Sequence, residues 1–293
     1  ENNRWALFPG VSAGWNIHRE DFWQPLSRTV SNLKLRASWG KSGNNDLTFS
    51  DSQGSYSTGY NYMGEVGLQN TTLPNQDLLW ETTTSSDIGL DIGLFKDRIT
   101  LLLDFYNKET SDRLFDKPIP SYSGFGSIKS NYGTIRNRGF EVELAATPVR
   151  TKNFSWDVNF TFAFNRSTVV KLPANGEDKN RIGGNYIFDP ATGQTRKVGG
   201  FAEGERFGQR WAYSMTGVYA TDEDAKNAPF DENAKGRQKK GGDAIWADLD
   251  KDGRITNKDM IFMGYMRPDR TGGMANTFRY KGFTLRAVVD YAM

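Results

Sequence analysis

The sequence predicts an all-β fold, an antiparallel transmembrane β-barrel segment, and three observations carry that expectation. Hydrophobicity alternates with a period of two along most of the chain. The alternating runs are long, about 10–13 residues against ~5–6 for ordinary strands and ~9–11 for a tilted membrane strand. Short turns and long loops alternate between the runs, as outer-membrane barrels require.

The runs follow in order. Trp5, Leu7, Pro9, Val11, Ala13, Trp15 and Ile17 stand against Ser12, Gly14 and Asn16. Leu33, Leu35, Ala37 and Trp39 then oppose Lys34, Arg36 and Ser38. Ile88, Leu90, Ile92 and Leu94 alternate with Asp87, Gly89, Asp91 and Gly93, and Ile99, Leu101, Leu103 and Phe105 with Thr100, Asp104 and Tyr106. Phe140, Val142 and Leu144 enclose Glu141 and Glu143. Phe154, Trp156, Val158, Phe160, Phe162 and Phe164 interleave with Ser155, Asp157, Asn159, Thr161 and Asn165. Met274, Phe278 and Tyr280 precede Phe283, Leu285, Ala287, Val289 and Tyr291, which face Thr284, Arg286 and Asp290.

A soluble sandwich alternates too, so the connections decide. Phe95-Lys96-Asp97-Arg98, Pro148 to Asn153 and Tyr280-Lys281-Gly282 are short, whereas residues 41–80, 107–131 and 168–204 read as long outer loops. Rings cluster toward the strand ends, as an interfacial girdle requires. About nine or ten strands are expected across residues 1–293. Open edges are not tolerated in lipid, so the wall must close on itself or on strands outside this segment.

Composition removes other classes. The 293 residues carry a net charge of +2, which gives no reason to expect nucleic acid. Cysteine is absent, so there is no disulfide framework, thiolate metal site or cysteine nucleophile. A single histidine, His18, reads as a solvent-exposed turn residue rather than a catalytic one. The chain opens on Glu1 and Asn2 with no signal peptide, and no run of ~18 apolar residues offers a helical span.

Residues 243–262 hold an acidic loop within an outer insertion. Asp248, Asp250 and Asp252 occupy positions 1, 3 and 5 of a calcium-type loop; Gly253 permits the sharp turn, Arg254 offers a carbonyl, and Asp259 closes the shell. Asp259 is one methylene shorter than the usual Glu, which weakens the site or favours a smaller ion. A structural Ca²⁺ is expected, with Mg²⁺ as the alternative. The flanks lack paired amphipathic helices, so a sensor of the EF-hand type is not expected.

Several segments together resemble the SusC/RagA family of TonB-dependent outer-membrane transporters. They are Asn3-Arg4-Trp5 through Phe8-Pro9-Gly10-Val11-Ser12-Ala13-Gly14-Trp15, Leu33 to Gly40 with Gly43-Asn44-Asn45, and Leu79-Trp80-Glu81-Thr82-Thr83-Thr84 leading into Ile88-Gly89-Leu90-Asp91. Tyr106-Asn107-Lys108, Asn137-Arg138-Gly139-Phe140-Glu141, Trp246 to Asp250 and Thr271-Gly272-Gly273 continue the likeness in the family's order over nearly the whole chain. The resemblance implies a multi-pass barrel of 22 strands in the outer membrane, to which this segment gives part of the C-terminal half. The family's plug, TonB box and final strands have no counterpart here.

It further implies import of an oligosaccharide or peptide, a SusD-like surface lipoprotein as partner, energy from TonB through a region absent here, and no enzymatic step. Tyr56, Tyr60, Tyr62, Tyr122, Phe125, Trp211 and Tyr213 are candidate substrate or lid contacts, since rings stack on sugars; packing of the loops themselves is the plainer reading. Lys34, Arg36, Asp91, Glu141, Glu143 and Asp157 read as lumen-wall residues. Two rival functions remain: a SusC-like barrel acting as an assembly scaffold, and a secreted all-β glycan-binding or hydrolytic protein.

Overall fold

The computed structural model describes residues 5–293, apart from the side chains of Phe49, Ser50 and Tyr62. Asn3 and Arg4 of the first motif, and the Tyr62 ring, therefore lie outside the described residues. Two compact units form, residues 1–173 with 268–293 and residues 174–267.

The first unit is built on one eight-stranded antiparallel sheet whose strand order follows the chain. Its strands are β1 (Gly10–Asn16), β2 (Val30–Asn44), β3 (Glu81–Leu94), β4 (Ile99–Ser111), β5 (Thr134–Arg150), β6 (Phe154–Lys171), β7 (Arg270–Tyr280) and β8 (Phe283–Ala292). The eight apolar runs of the sequence account for all of them. The expected nine or ten strands are thus too many: the remaining short strands pair with one another in the loops, not with the wall. The first run is also shorter than its alternation suggests, because residues 5–9 precede the strand and Ile17–Arg19 turn into a 3₁₀ helix.

Register converts alternation into faces. Trp15, Leu35, Leu90, Leu103, Val142 and Phe162 stand in one unbroken cross-strand row. Leu33, Ile92, Leu101, Leu144, Phe160, Met274 and Val289 form the row beside it. The opposite face carries Lys34, Asp91, Glu143 and Thr161 in register, and Arg36, Asp104 and Glu141 in the adjacent row. A slip of one residue in any pairing would exchange the two faces, so the apolar rows hold the register.

The apolar rows are largely uncovered by the described residues of their own unit. Among the described residues the wall strands bury only Val158 and Val169 as apolar side chains, while Phe105 and Leu285 stay 59% and 65% exposed. A soluble sandwich buries one face of each sheet; this sheet has both faces open, and lipid is the solvent that suits the apolar one.

Turns at one end are tight. Phe95, Lys96 and Asp97 take left-handed backbone conformations, with φ of 55°, 59° and 61°. Asp97 helps hold this turn, accepting a hydrogen bond from Ser31 Oγ at 2.8 Å. β5 and β6 are joined by residues 151–153, and β7 and β8 by 281–282. The β1–β2 connection at the same end holds two 3₁₀ turns, Ile17–Arg19 and Asp21–Leu26. Here His18 departs from expectation: it is half-buried, with Nδ1 3.1 Å from Leu33 O and 3.3 Å from Leu33 N. The segment folds back onto β2 and uses the ring to meet backbone groups.

The other end carries the long loops. Residues 45–80 contain a short helix, Phe49–Gln53, and the hairpin Ser55–Tyr62/Glu65–Thr72. Residues 112–133 contain the hairpin Leu114–Pro118/Ser127–Asn131. The third connection is far longer than the expected 168–204: β6 ends at Lys171 and β7 begins at Arg270. Its residues 174–267 form the second unit, with its own buried Ile187, Val198, Ala202, Ala225 and Ile255. The longest strands also outrun the bilayer. β6 has 18 residues, about 60 Å at ~3.3 Å per residue, whereas a tilted strand crosses the hydrocarbon in ~9–11 residues.

Candidate functional site: polar wall and acidic loop

The polar face of the wall is an ion-pair lattice. Arg36 donates from Nη2 to Asp91 Oδ1 at 2.7 Å and lies 3.0 Å from Asp104 Oδ1, so one cation on β2 spans carboxylates on β3 and β4. Gly89 makes room for it: a Cβ there would come within 2.6 Å of the guanidinium carbon and 2.4 Å of Asp104 Oδ1. Farther along, Arg136 on β5 meets Glu109 on β4 at 2.6 Å. Asp157 accepts from Thr147 Oγ1 at 2.8 Å and pairs with Arg279. Leu102, Asp104, Glu141, Glu143, Thr161 and Thr271 line a depression of about 220 Å³ on this face. Lys34, Arg36, Asp91, Glu141, Glu143 and Asp157 therefore share one face, as a lumen wall requires.

The first two long loops are clipped together. Asn131 accepts from Leu79 N at 2.6 Å and donates to the carbonyls of Leu79 and Asp112, each at 2.7 Å. Asp51 lies 3.5 Å from Lys129. Burial pushes the Asp51 carboxyl up, but bonds from Thr48 and the Lys129 charge outweigh it and leave its pKa below the ordinary value.

Within the second unit, Asp248, Asp250 and Asp252 do converge, each offering a carboxylate oxygen within 4.8 Å of the others. Oδ2 of Asp248 accepts from Gly253 N at 2.9 Å, and Oδ1 of Asp252 from Arg254 N at 2.8 Å. Oδ1 of Asp248 is buried and accepts no hydrogen bond. Asp259 behaves differently from a shell-closing ligand. It is fully buried, and its two oxygens accept from Leu249 N and Thr256 N, both at 2.8 Å. With Thr256 it forms a capping box on the turn Asn257–Asp259. Its short side chain reaches the backbone amides that fix the loop's ends. Burial, together with the nearby Asp250 and Asp248 charges, holds its pKa above the ordinary range despite the two amides. The Arg254 side chain is turned to Glu232 at 2.7 Å. Lys258 Nζ stands 3.5 Å from Asp250 and 4.0 Å from Asp252.

One buried and one partly buried ion pair brace this unit, and sequence reading missed both. Lys239 Nζ meets Asp231 Oδ2 at 2.6 Å, with side chains 9% and 3% exposed. Asp231 also pairs in parallel register with Ile255, beside the acidic loop. Arg181, 5% exposed, donates to Glu205 at 2.6 Å. Burial raises the Glu205 pKa, but Arg181, Lys179 and Gln209 more than offset that and leave it lowered. No local spacing in the sequence marks these partners.

The aromatic candidates divide. Tyr56, Tyr60 and Tyr122 are exposed on the first two loops, Tyr122 at 92%, and Phe125 is half-buried. In the second unit Trp211 packs on Phe262 at 5.5 Å and donates from Nε1 to Gln209. The Tyr213 hydroxyl lies 3.2 Å from Asn233 Oδ1 and 3.1 Å from Asn257 Oδ1, with one proton shared between them, and its ring packs on Trp246 at 6.1 Å. Burial pushes its phenol pKa up. These two rings serve the unit's own packing.

The model of the TonB-dependent receptor-like β-barrel matches residues 1–291. The chain belongs to this family. TonB-dependent receptor P3 of Formosa agariphila is 33% identical over 97% of the chain and 28% of its own length. TonB-dependent receptor SusC of Bacteroides thetaiotaomicron is 27% identical over 97% of the chain and 27% of its length. The RagAB peptide importer in its open-open state superimposes with a TM-score of 0.71 at 24% identity, covering 99% of this chain and 29% of that one, which establishes the fold. The chain thus spans under a third of the length of these relatives. The SusC/RagA resemblance and the partial-barrel fold both hold, and the family is one of receptors and transporters rather than enzymes.

Proposed function

We propose that this chain forms part of the wall of an outer-membrane nutrient importer of the SusC type. The observation that carries the reading is the eight-stranded wall, apolar on one face and charged on the other, within a family of TonB-dependent receptors. The substrate is an oligosaccharide or a peptide: the family's named members include SusC and the RagAB peptide importer. A SusD-like lipoprotein would cap the long-loop end, and TonB would supply energy through a part of the protein beyond this segment. Tyr56, Tyr60 and Tyr122 are the exposed rings suited to substrate or lid contacts. Deleting the gene and measuring uptake of labelled oligosaccharides and peptides tests the proposal. Unchanged uptake of every substrate, with loss of other surface proteins, would favour the scaffold role instead.

We also read the acidic loop as a structural Ca²⁺ or Mg²⁺ site. Asp248, Asp250, Asp252 and the Arg254 carbonyl would hold the ion, and the buried, unbonded Oδ1 of Asp248 fits such a ligand. Asp259 would brace the loop from behind. Calorimetric titration of the chelated protein with each metal should give a saturable site that Asp248→Asn removes.

A further inference from the structure

Three arginines stand on the apolar face of the wall. Arg138 on β5 lies directly across from Arg166 on β6, in one register row with Asn107, Ser86 and Trp39. In the next row toward the short turns, Phe140 pairs with Phe164, and Phe164 with Arg270 on β7. Side chains two residues apart on a strand share a face, so the parity that turns Phe140 and Phe164 toward lipid turns Arg138 and Arg166 the same way. All three arginines are exposed.

Cβ atoms directly opposite on paired strands lie ~4.5–5.5 Å apart, and like charges there destabilise the pair. Arg270 is a diagonal neighbour of Arg166, ~7–8 Å away on the same scale. Among the described residues, Arg138 and Arg270 have no ion pair and no side-chain hydrogen bond. Arg166 meets one carboxylate, Asp269, at 3.7 Å, and lies 5.4 Å from the centre of the Phe164 ring. Elsewhere the wall answers its cations with carboxylates on neighbouring strands: Arg36 has Asp91 and Asp104, and Arg136, one row farther out, has Glu109. The three arginines therefore leave positive charge unmatched at one spot.

Depth says what the charge meets. A tilted strand crosses the hydrocarbon in ~9–11 residues. Counted from Trp156, which stacks on Phe278 near the short turns, that length ends between Phe164 and Arg166, so the arginines emerge at headgroup level on the long-loop side. Just inside them Phe140 contacts Phe105, Phe162 and Phe164, with centroids 5.8, 5.4 and 5.8 Å apart. Guanidinium forks match phosphate oxygens two at a time. The geometry points to a binding site for a phosphorylated lipid of the outer leaflet: Arg138, Arg166 and Arg270 clasp its phosphate, and the rings around Phe140 bed its acyl chains. The inference rests on the barrel reading, which turns the long-loop end outward. An acidic protein would match the charge but not a ring bed lying in hydrocarbon, so the lipid is favoured.

Native mass spectrometry of the full-length protein in a neutral detergent counts the lipid retained. Monophosphoryl lipid A should be held in preference to the same lipid dephosphorylated, and excess inorganic phosphate should not displace it. Each cation contributes roughly fivefold to the affinity, so Arg138→Gln with Arg166→Gln should cost about 25-fold. Lys152→Gln with Lys281→Gln, in the short turns, should leave retention unchanged. Urea unfolding supplies a readout that a merely structural role would not give. Without lipid, Arg138→Gln should be at least as stable as the parent, because the repulsion from Arg166 is gone; added lipid A phosphate should then stabilise the parent more than the variant. If the double variant does not assemble, Arg138→Gln alone should still cost about fivefold in retention. Equal retention of the two lipids, displacement by free phosphate, unaffected retention in the variants, equal stabilisation of parent and Arg138→Gln, or arginine-dependent capture of an acidic protein instead of lipid would each overturn the proposal. Failure of the barrel reading would look different: the protein would be monodisperse without detergent.

Discussion

Replacing Asp231 with Asn tests whether the second unit depends on its buried ion pair. The substitution leaves the Lys239 ammonium, 9% exposed, facing a neutral amide in place of a carboxylate at 2.6 Å. Removing one partner of a buried pair costs ~3–5 kcal/mol, most of it the stranded charge. The lower end applies, because the Asn oxygen can still accept from Asn233 N and Ala234 N, which Asp231 meets at 2.9 and 3.2 Å. About 3 kcal/mol corresponds to roughly 150-fold. Hydrogen exchange reads it directly: the amides of Phe230 and Glu232, bonded to Gly253 O and Ile255 O, should exchange about 150-fold faster. Amides of the wall rows should not change. Joint replacement with apolar residues, Asp231→Leu and Lys239→Met, should recover most of the protection, since no charge is left stranded. A change below about threefold in Asp231→Asn, or equal losses in the single and joint variants, would refute the reasoning.

Three further predictions address the wall, the second unit and the acidic loop. Leu103→Lys, in the middle of an apolar row, should destabilise folding into bilayers by ~2–4 kcal/mol in urea titrations, while Glu143→Gln on the other face should stay within ~0.5 kcal/mol. The lowered pKa of Glu205 means its stabilising contribution is fully present above the ordinary glutamate value of ~4.3 and is lost as pH falls through the depressed folded value. Glu205→Gln should flatten that acid limb in thermal melts of the protein. Lys258→Gln should tighten Ca²⁺ binding at the acidic loop: a doubly charged ion ~5 Å from an ammonium is repelled by ~1.7 kcal/mol even in water-like dielectric, ~20-fold. Titration calorimetry at low salt would show it.

The wall was legible because its physics is local and repetitive. Trp15, Leu35, Leu90, Leu103 and Val142 each sit two residues from a like neighbour, and the apolar period alone forces them to one face. Turn lengths were legible for the same reason, since the chain must reverse wherever the alternation stops. The length of the third loop was not. Gln209–Tyr213 and Met260–Tyr265 have strand character, but they pair with each other, and nothing within either segment says which partner it takes. Partner choice there follows from the unit's own core around Ile187, Val198 and Ile255, whose members lie far apart in sequence.

The acidic loop shows the same division inside twelve residues. Spacing alone brings Asp248, Asp250 and Asp252 together, because a turn at Gly253 aims alternate side chains inward. The role of Asp259 depends on what its oxygens meet. A Glu at that position can reach an ion past the backbone; the shorter Asp reaches Leu249 N and Thr256 N, which lie nearer. The missing methylene was visible in the sequence, but the position of those amides was not. The consequence is a loop whose ends are held by Asp259, while Lys258 stands near Asp250 and Asp252 and offsets part of their charge. An ion there would add to the bonds that Asp259 already makes to Leu249 N and Thr256 N. That makes Asp231 and Lys239, joined to the loop through Ile255, the stronger determinant of whether it holds its shape.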